Sequence, residues 1–394
     1  MSRPPVEVAD IIRAWGDRFF ESNGRWLHWS HVKALNAIER CRTAALGDHR
    51  DQCPQCGHQA ISYNSCRNRH CPKCQTAARN RWVAERQAEV LPVGYFHVVF
   101  TLPHELCALA LRNKKELYRL LFRASAETLL EVAANPKHLG AGLGFLSILH
   151  TWGQRLLLHP HVHCVVPAGG ISPDQTRWIP SRPNFLVPVP VLKKVFRGKF
   201  LDGLTRLFRA RKLAFTGSLA ALSSREAFFD FLRPLYDKEW VVYAKSPFRG
   251  PDHLLQYLAR YTHRVAISNH RLVSFDGDSV TFRWKAYAHG NKKRKMTVSA
   301  DEFLRRFLLH TLPRGFVRIR SFGFLAGPRR AKWLELARQM LPETGIERNI
   351  EPTLPARASF PCPVCATPMV FGERLSAAQV RRAGVHRDGI YDSS

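Results

Sequence analysis

Apolar residues return at helical spacing in the first 48 positions, where Ile11, Ile12, Trp15, Phe19 and Phe20 share one side. Residues 49–78 lose that period and are rich in Cys, His, Arg and Asn. A helix is expected over 80–89. A β-branched and aromatic run, Tyr95-Phe-His-Val-Val-Phe-Thr101, predicts a strand. Helical spacing then runs over 106–134 and stops at Asn135-Pro136. Residues 145–166 carry one or two strands, ending at Pro167 and Gly169-Gly170, and 171–190 are Pro-rich and irregular. Further helices are expected at 191–211, 226–236, 253–263, 300–309 and 329–340, with a strand at 240–244. Residues 271–285 read as a hairpin turned at Asp276-Gly277. Mixed helices and strands without a βαβ repeat predict an α+β protein.

Composition leaves this picture intact and adds a partner. The 394 residues are 45% hydrophobic, enough for a real core and two or three domains. Lys and Arg number 60 against 31 Asp and Glu, a formal charge of +29. Such an excess favours a polyanion, most simply nucleic acid. No stretch has the length and apolarity of a membrane span, no basic amphipathic anchor stands out, and the start lacks a signal-peptide core, so no membrane partner is expected. Ten cysteines in so long a chain are too few for a disulfide scaffold and suit a reducing compartment. The expected location is the cytoplasm.

The cysteines are not evenly spread. Cys53-Pro-Gln-Cys56 and Cys71-Pro-Lys-Cys74 are two CxxC knuckles, and four thiolates so spaced suit one tetrahedral zinc. Cys66, His58 and His70 are spare ligands. Arg67 and Arg69 beside them make the module a candidate DNA contact; alternatively the zinc only folds a domain too small for its own core. Cys362-Pro-Val-Cys365 is a third knuckle without a matching pair. Cys41, Cys107 and Cys164 stand alone in apolar settings and read as packing residues.

Two further constellations suggest chemistry. In His159-Pro-His161-Val-His163 the histidines alternate, so on a strand all three face one side, while Val162, Cys164 and Val166 face the other. His161 and His163 can hold a divalent cation, Mg2+ or Mn2+, with Gln154 or His159 as third ligand. Tyr257 and Tyr261 lie at i,i+4 on the helix expected over 253–263, with Arg260 and Arg264 positioned for flanking phosphates. A tyrosine packed on a sheet is the plain reading of such a pair. Beside a metal strand, the pair instead suggests nucleophiles for cutting a phosphodiester.

These residues carry a resemblance. Tyr63-Asn-Ser-Cys-Arg-Asn-Arg-His-Cys-Pro-Lys-Cys74, His159-Pro-His-Val-His-Cys164 with Gly169-Gly170, and Tyr257-Leu-Ala-Arg-Tyr-Thr-His-Arg-Val-Ala-Ile-Ser268 resemble the rolling-circle insertion-sequence transposases of the ninety-one family, as do Phe282-Arg-Trp-Lys285 and Phe303-Leu-Arg-Arg-Phe-Leu-Leu-His310. That family belongs to the two-tyrosine His-hydrophobic-His endonucleases. The resemblance covers roughly residues 10–340. It implies a zinc-binding N-terminal domain and a catalytic antiparallel sheet with flanking helices. The chain divides accordingly into a helical and zinc-binding domain (1–90), a catalytic domain (91–270), a hairpin and helical extension (271–345) and a flexible tail with a knuckle (346–394). Nicking through a 5′-phosphotyrosine is implied, with single-stranded DNA at element termini and target DNA as partners. The sequence shows no GxxxxGK[ST] loop, so strand separation would fall to a host helicase. Two alternatives remain: a plasmid replication initiator or relaxase with the same chemistry, and a non-catalytic zinc-finger DNA-binding protein, which predicts binding without metal-dependent nicking.

Overall fold

The computed structural model describes residues 4–87, 89–248, 266–286, 290, 292–341 and 361–382. The chain opens on two helices, α1 (Val8–Asn23) and α2 (Trp29–Glu39). Entry to α1 is fixed by a reciprocal box in which the Glu7 N–H donates to the Asp10 carboxylate at 2.9 Å. A hairpin of β1 (Asp48–Gln52) and β2 (Gln59–Tyr63) follows, then α3 (Gln75–Gln87). The sequence offered no strand here, because Asp48-His-Arg-Asp-Gln52 has no apolar alternation to betray one.

The centre of the molecule is a five-stranded antiparallel sheet. Its strands are β3 (Tyr95–Thr101), β4 (Gly144–Trp152), β5 (Leu158–Pro167), β8 (Val242–Phe248) and β12 (Ile319–Gly323), in the order β12-β4-β5-β3-β8. Between β3 and β4 run α4 (Cys107–Arg112) and α5 (Lys114–Ala134). After the small β6–β7 ribbon (Gly169–Ile171, Trp178–Pro180) come α6 (Val189–Arg209) and α7 (Arg225–Asp237). One face of the sheet is apolar. Val98, Phe100, Val162, Cys164 and Val166 pack there against Leu121, Phe122, Phe196, Phe200 and Trp240. Period 2 sends the intervening residues of β3 and β5 to the opposite face, which therefore receives the histidines.

A second core joins chain segments far apart in sequence. Ile11, Ile12, Phe19 and Leu35 of α1 and α2 pack with Leu272, Val280, Phe282, Phe303 and Phe307. The latter come from β9 (Leu272–Phe275), β10 (Ser279–Ala286) and the helix Ala300–Leu309. Asp276 turns the hairpin as expected, its carboxylate accepting from the N–H groups of Asp278 (3.1 Å) and Ser279 (2.7 Å). β11 (Lys292–Ser299) then pairs with β10 in a register that sets Arg283 opposite Lys295 and Lys285 opposite Lys293, all four exposed.

The C-terminal segment departs from the flexible tail expected over 346–394. Its strand β13 (Val370–Leu375) adds to the edge of β1, pairing Asp48 with Leu375 and Gln52 with Val370. Among the described residues, no helix is long and apolar enough to cross a membrane.

Candidate catalytic centre and cysteine clusters

His161 and His163 project from β5 on the face away from the apolar core. β4 lies alongside, and its His150 stands directly opposite His161 in the ladder. Ring centroids are 4.8 Å apart for His161 and His163, 4.4 Å for His150 and His163, and 5.5 Å for His150 and His161. The three offer one nitrogen each within 4.8 Å of one another, close enough to share an ion. A carbonyl only accepts, so the 2.6 Å contact from His161 Nδ1 to the His159 carbonyl puts the proton on Nδ1 and leaves a lone pair on Nε2. On β3, His97 Nε2 lies 2.7 Å from His163 Nδ1. Burial lowers the His161 pKa to about 3 and His97 to about 4, and holds His163 well below its ordinary value. All are neutral imidazoles at physiological pH, the form that ligates metal.

His159, one of the two expected third ligands, does not join the trio. His159 lies at the exposed end of β5, its ring 5.1 Å from that of His161, and is outside the cluster. The Gln154 side-chain oxygen accepts from the Lys285 N–H at 3.3 Å and its backbone carbonyl accepts from Arg271. His150 escaped the sequence reading because it pairs with His161 only through the hairpin register. Tyr257, Tyr261, Arg260 and Arg264 lie outside the described residues.

The cysteines are divided differently from the sequence expectation. Cys53 and Cys56 do not share a site with Cys71 and Cys74. Instead Cys41, Cys66, Cys71 and Cys74 form one group, and Cys53, Cys56, Cys362 and Cys365 another. In the first, Cys74 Sγ is 3.4 Å from Cys41 and 3.5 Å from Cys66. A ZnS4 tetrahedron with bonds of about 2.3 Å has edges of about 3.8 Å, so the donor set fits zinc. Backbone N–H groups of Cys66 and Asn68 point at the Cys41 and Cys66 sulfurs, each at 3.5 Å, which favours thiolate. Cys41, read as a packing residue, is buried but is a member of this group. Cys107 and Cys164 are buried apart from either group. His70 is not a ligand: its Nε2–H donates to the Phe307 carbonyl at 3.0 Å. His58 also lies outside both groups.

Comparison with known proteins fits this geometry. Residues 11–102 match the family described as "Transposase zinc-binding domain", and residues 144–332 match "Putative transposase". The chain is 54% identical over 341 residues to a Sinorhizobium fredii protein named "Putative transposase y4qJ", covering 86% of this chain and 85% of that protein. The chain belongs to the ninety-one family of insertion-sequence transposases. It is also 27% identical over 389 residues to the "Transposase for insertion sequence element IS801" of Pseudomonas savastanoi pv. phaseolicola, over 94% of this chain and 92% of the relative. No solved structure matches.

The matched regions bracket the sites. The zinc-binding match contains the whole of the first cysteine group and only half of the second. The second match opens on Gly144, the first residue of β4, and so contains His150, His161 and His163. A transposase binds DNA, and of the four arginines expected to help, Arg67 and Arg69 are among the described residues. The structure separates them. Arg67 is exposed, with a left-handed φ of 51°. Arg69 is exposed as well, but its guanidinium donates to the carbonyls of Phe316 (2.7 Å) and Leu312 (2.9 Å).

Proposed function

We propose that this transposase nicks and rejoins single-stranded DNA at the ends of its element, through a 5′-phosphotyrosine formed by Tyr257 or Tyr261. The observation that carries the reading is the trio His150, His161 and His163, three closely spaced imidazoles on one sheet face. They would hold one divalent cation, which when bound withdraws charge from the scissile phosphate. All three donors are nitrogens, a set that favours Mn2+ over Mg2+. The chain's own work is positional. The antiparallel ladder fixes His150 against His161, and the two Nδ1 contacts orient His161 and His163.

A tyrosine hydroxyl oxygen then attacks phosphorus. A new P–O bond forms to the phenolic oxygen of the tyrosine and the bond from phosphorus to the 3′ oxygen breaks. The proton released by the tyrosine balances the one taken up at the 3′-OH. The phosphodiester energy is kept in the adduct, so rejoining needs no nucleotide. The second tyrosine serves the second strand, a host helicase separates the duplex, and Arg260 and Arg264 hold flanking phosphates. Labelled single-stranded terminus DNA incubated with protein and Mn2+ is expected to give a covalent adduct that survives denaturation. The adduct should vanish in the Tyr257→Phe/Tyr261→Phe double variant and in His150→Ala. An adduct persisting in the double variant rules out the tyrosine assignment, and tight DNA binding with no nicking by the wild type favours the non-catalytic alternative.

A further inference from the structure

We infer that Cys53, Cys56, Cys362 and Cys365 bind a second zinc ion, and that this ion fastens the C-terminal segment to the N-terminal module. The two pairs sit in matching turns. Cys53-Pro-Gln-Cys56-Gly57-His58 and Cys362-Pro-Val-Cys365-Ala366-Thr367 have the same bonding at each step. The Cys53 N–H donates to the His58 carbonyl at 2.8 Å, and the Cys362 N–H to the Thr367 carbonyl at 2.8 Å. The Gly57 N–H returns to the Cys53 carbonyl at 3.0 Å, and the Ala366 N–H to the Cys362 carbonyl at 2.8 Å. Both turns close through a left-handed residue, φ 71° at Gly57 and 59° at Ala366. Alanine adopts that conformation only where the surroundings require it.

The turns face each other. Cys53 Sγ is 3.4 Å from Cys365, and Cys56 Sγ is 3.5 Å from Cys362 and 3.6 Å from Cys365. These spacings are far from a disulfide bond of about 2.05 Å and near the tetrahedral edge for zinc. Cys53 and Cys362 are 1% and 3% exposed, yet the apolar cluster around them adds only Ala60 and Met369 as buried members. So small a cluster does not hold a module by burial alone; a metal does. On binding, the four thiols lose their protons to solvent and ligate as thiolates.

The strands repeat the pattern. β13 lies along β1, and Gly47 accommodates its end: a Cβ there would stand 2.5 Å from the Leu375 carbonyl oxygen. This site lies half outside the zinc-binding match, and its ligands are separated by 306 residues.

The test uses the full chain, washed free of loosely held metal and loaded with Mn2+ at the histidine trio. Elemental analysis should find two zinc ions per wild-type polypeptide and one in the Cys362→Ser/Cys365→Ser variant. A second measurement covers the case in which that variant fails to fold. A protease site placed within residues 342–360 is cut after purification. The C-terminal piece should co-elute with the rest and separate once a mercurial reagent has stripped the zinc. One zinc in the wild type, two in the double variant, or a piece that separates while both zincs remain would overturn the proposal.

Discussion

At the scale of single residues, two histidines outside the trio are informative. His97 touches the trio through the 2.7 Å contact to His163. Its loss should leave the sheet folded and the metal loosely held. We expect His97→Leu to weaken Mn2+ binding roughly 10–100-fold by calorimetry, with His97→Gln, which keeps an acceptor, recovering much of it. His310 is buried and bonded at both nitrogens, donating from Nε2 to the Leu156 carbonyl (3.0 Å) and accepting at Nδ1 from Thr151 (3.1 Å). Burial lowers its pKa to about 3, against an ordinary 6.5. Between those values the unfolded chain binds a proton that the native state refuses, so stability falls as pH drops below 6.5. His310 alone should cost about 2 kcal/mol at pH 5. Urea midpoints at pH 7.5 and pH 5 check this, and His310→Gln should flatten the difference.

Among secondary-structure elements, the C-terminal end of the helix Ala300–Leu309 is where the zinc module grips the rest. Its terminal carbonyls have no partners within the helix and carry partial negative charge. Lys114 donates to Leu309 and Thr311 (2.8 and 2.9 Å), His70 to Phe307, and Arg69 to Leu312 and Phe316 in the loop beyond. Arg69→Ala should therefore lower stability by roughly 2–3 kcal/mol with DNA affinity little changed. Arg67→Ala should do the reverse, which thermal melts and binding isotherms at fixed salt will separate. Much of this level was legible beforehand. The helix Ala300–Leu309 and strand β3 fall on the boundaries expected from the sequence, because the helix buries one clean face and the strand is a β-branched and aromatic run buried on both. β1, β11 and β13 were not, since Asp48-His-Arg-Asp-Gln52 and Lys292-Lys-Arg-Lys are held by ladder bonds, with few apolar side chains to mark them.

For the whole molecule, what the sequence withheld was partnership across distance. The knuckle spacing identified zinc chemistry, yet spacing says nothing about which pairs meet. Cys41 and Cys66 complete Cys71 and Cys74, while Cys53 and Cys56 reach forward to Cys362 and Cys365. His150 is the same case, placed by register and not by motif. The excess charge was plain at once, but its address was not. Part of it lies on the β10–β11 ribbon, where Arg283 opposes Lys295 and Lys285 opposes Lys293. Like charges set directly across a ladder repel, and each such pair weakens the sheet by about 0.2–1 kcal/mol. The ribbon is thus held together against its own field, and small anions relieve it. Melting temperature should climb by about 1–3 °C as salt is raised from low to physiological strength, the opposite of a protein braced by surface ion pairs. A short heparin chain at equal ionic strength should raise it further. With two fewer cations the ribbon holds fewer anions to release, so DNA binding should fade with added salt less steeply in Lys293→Gln/Lys295→Gln than in the wild type.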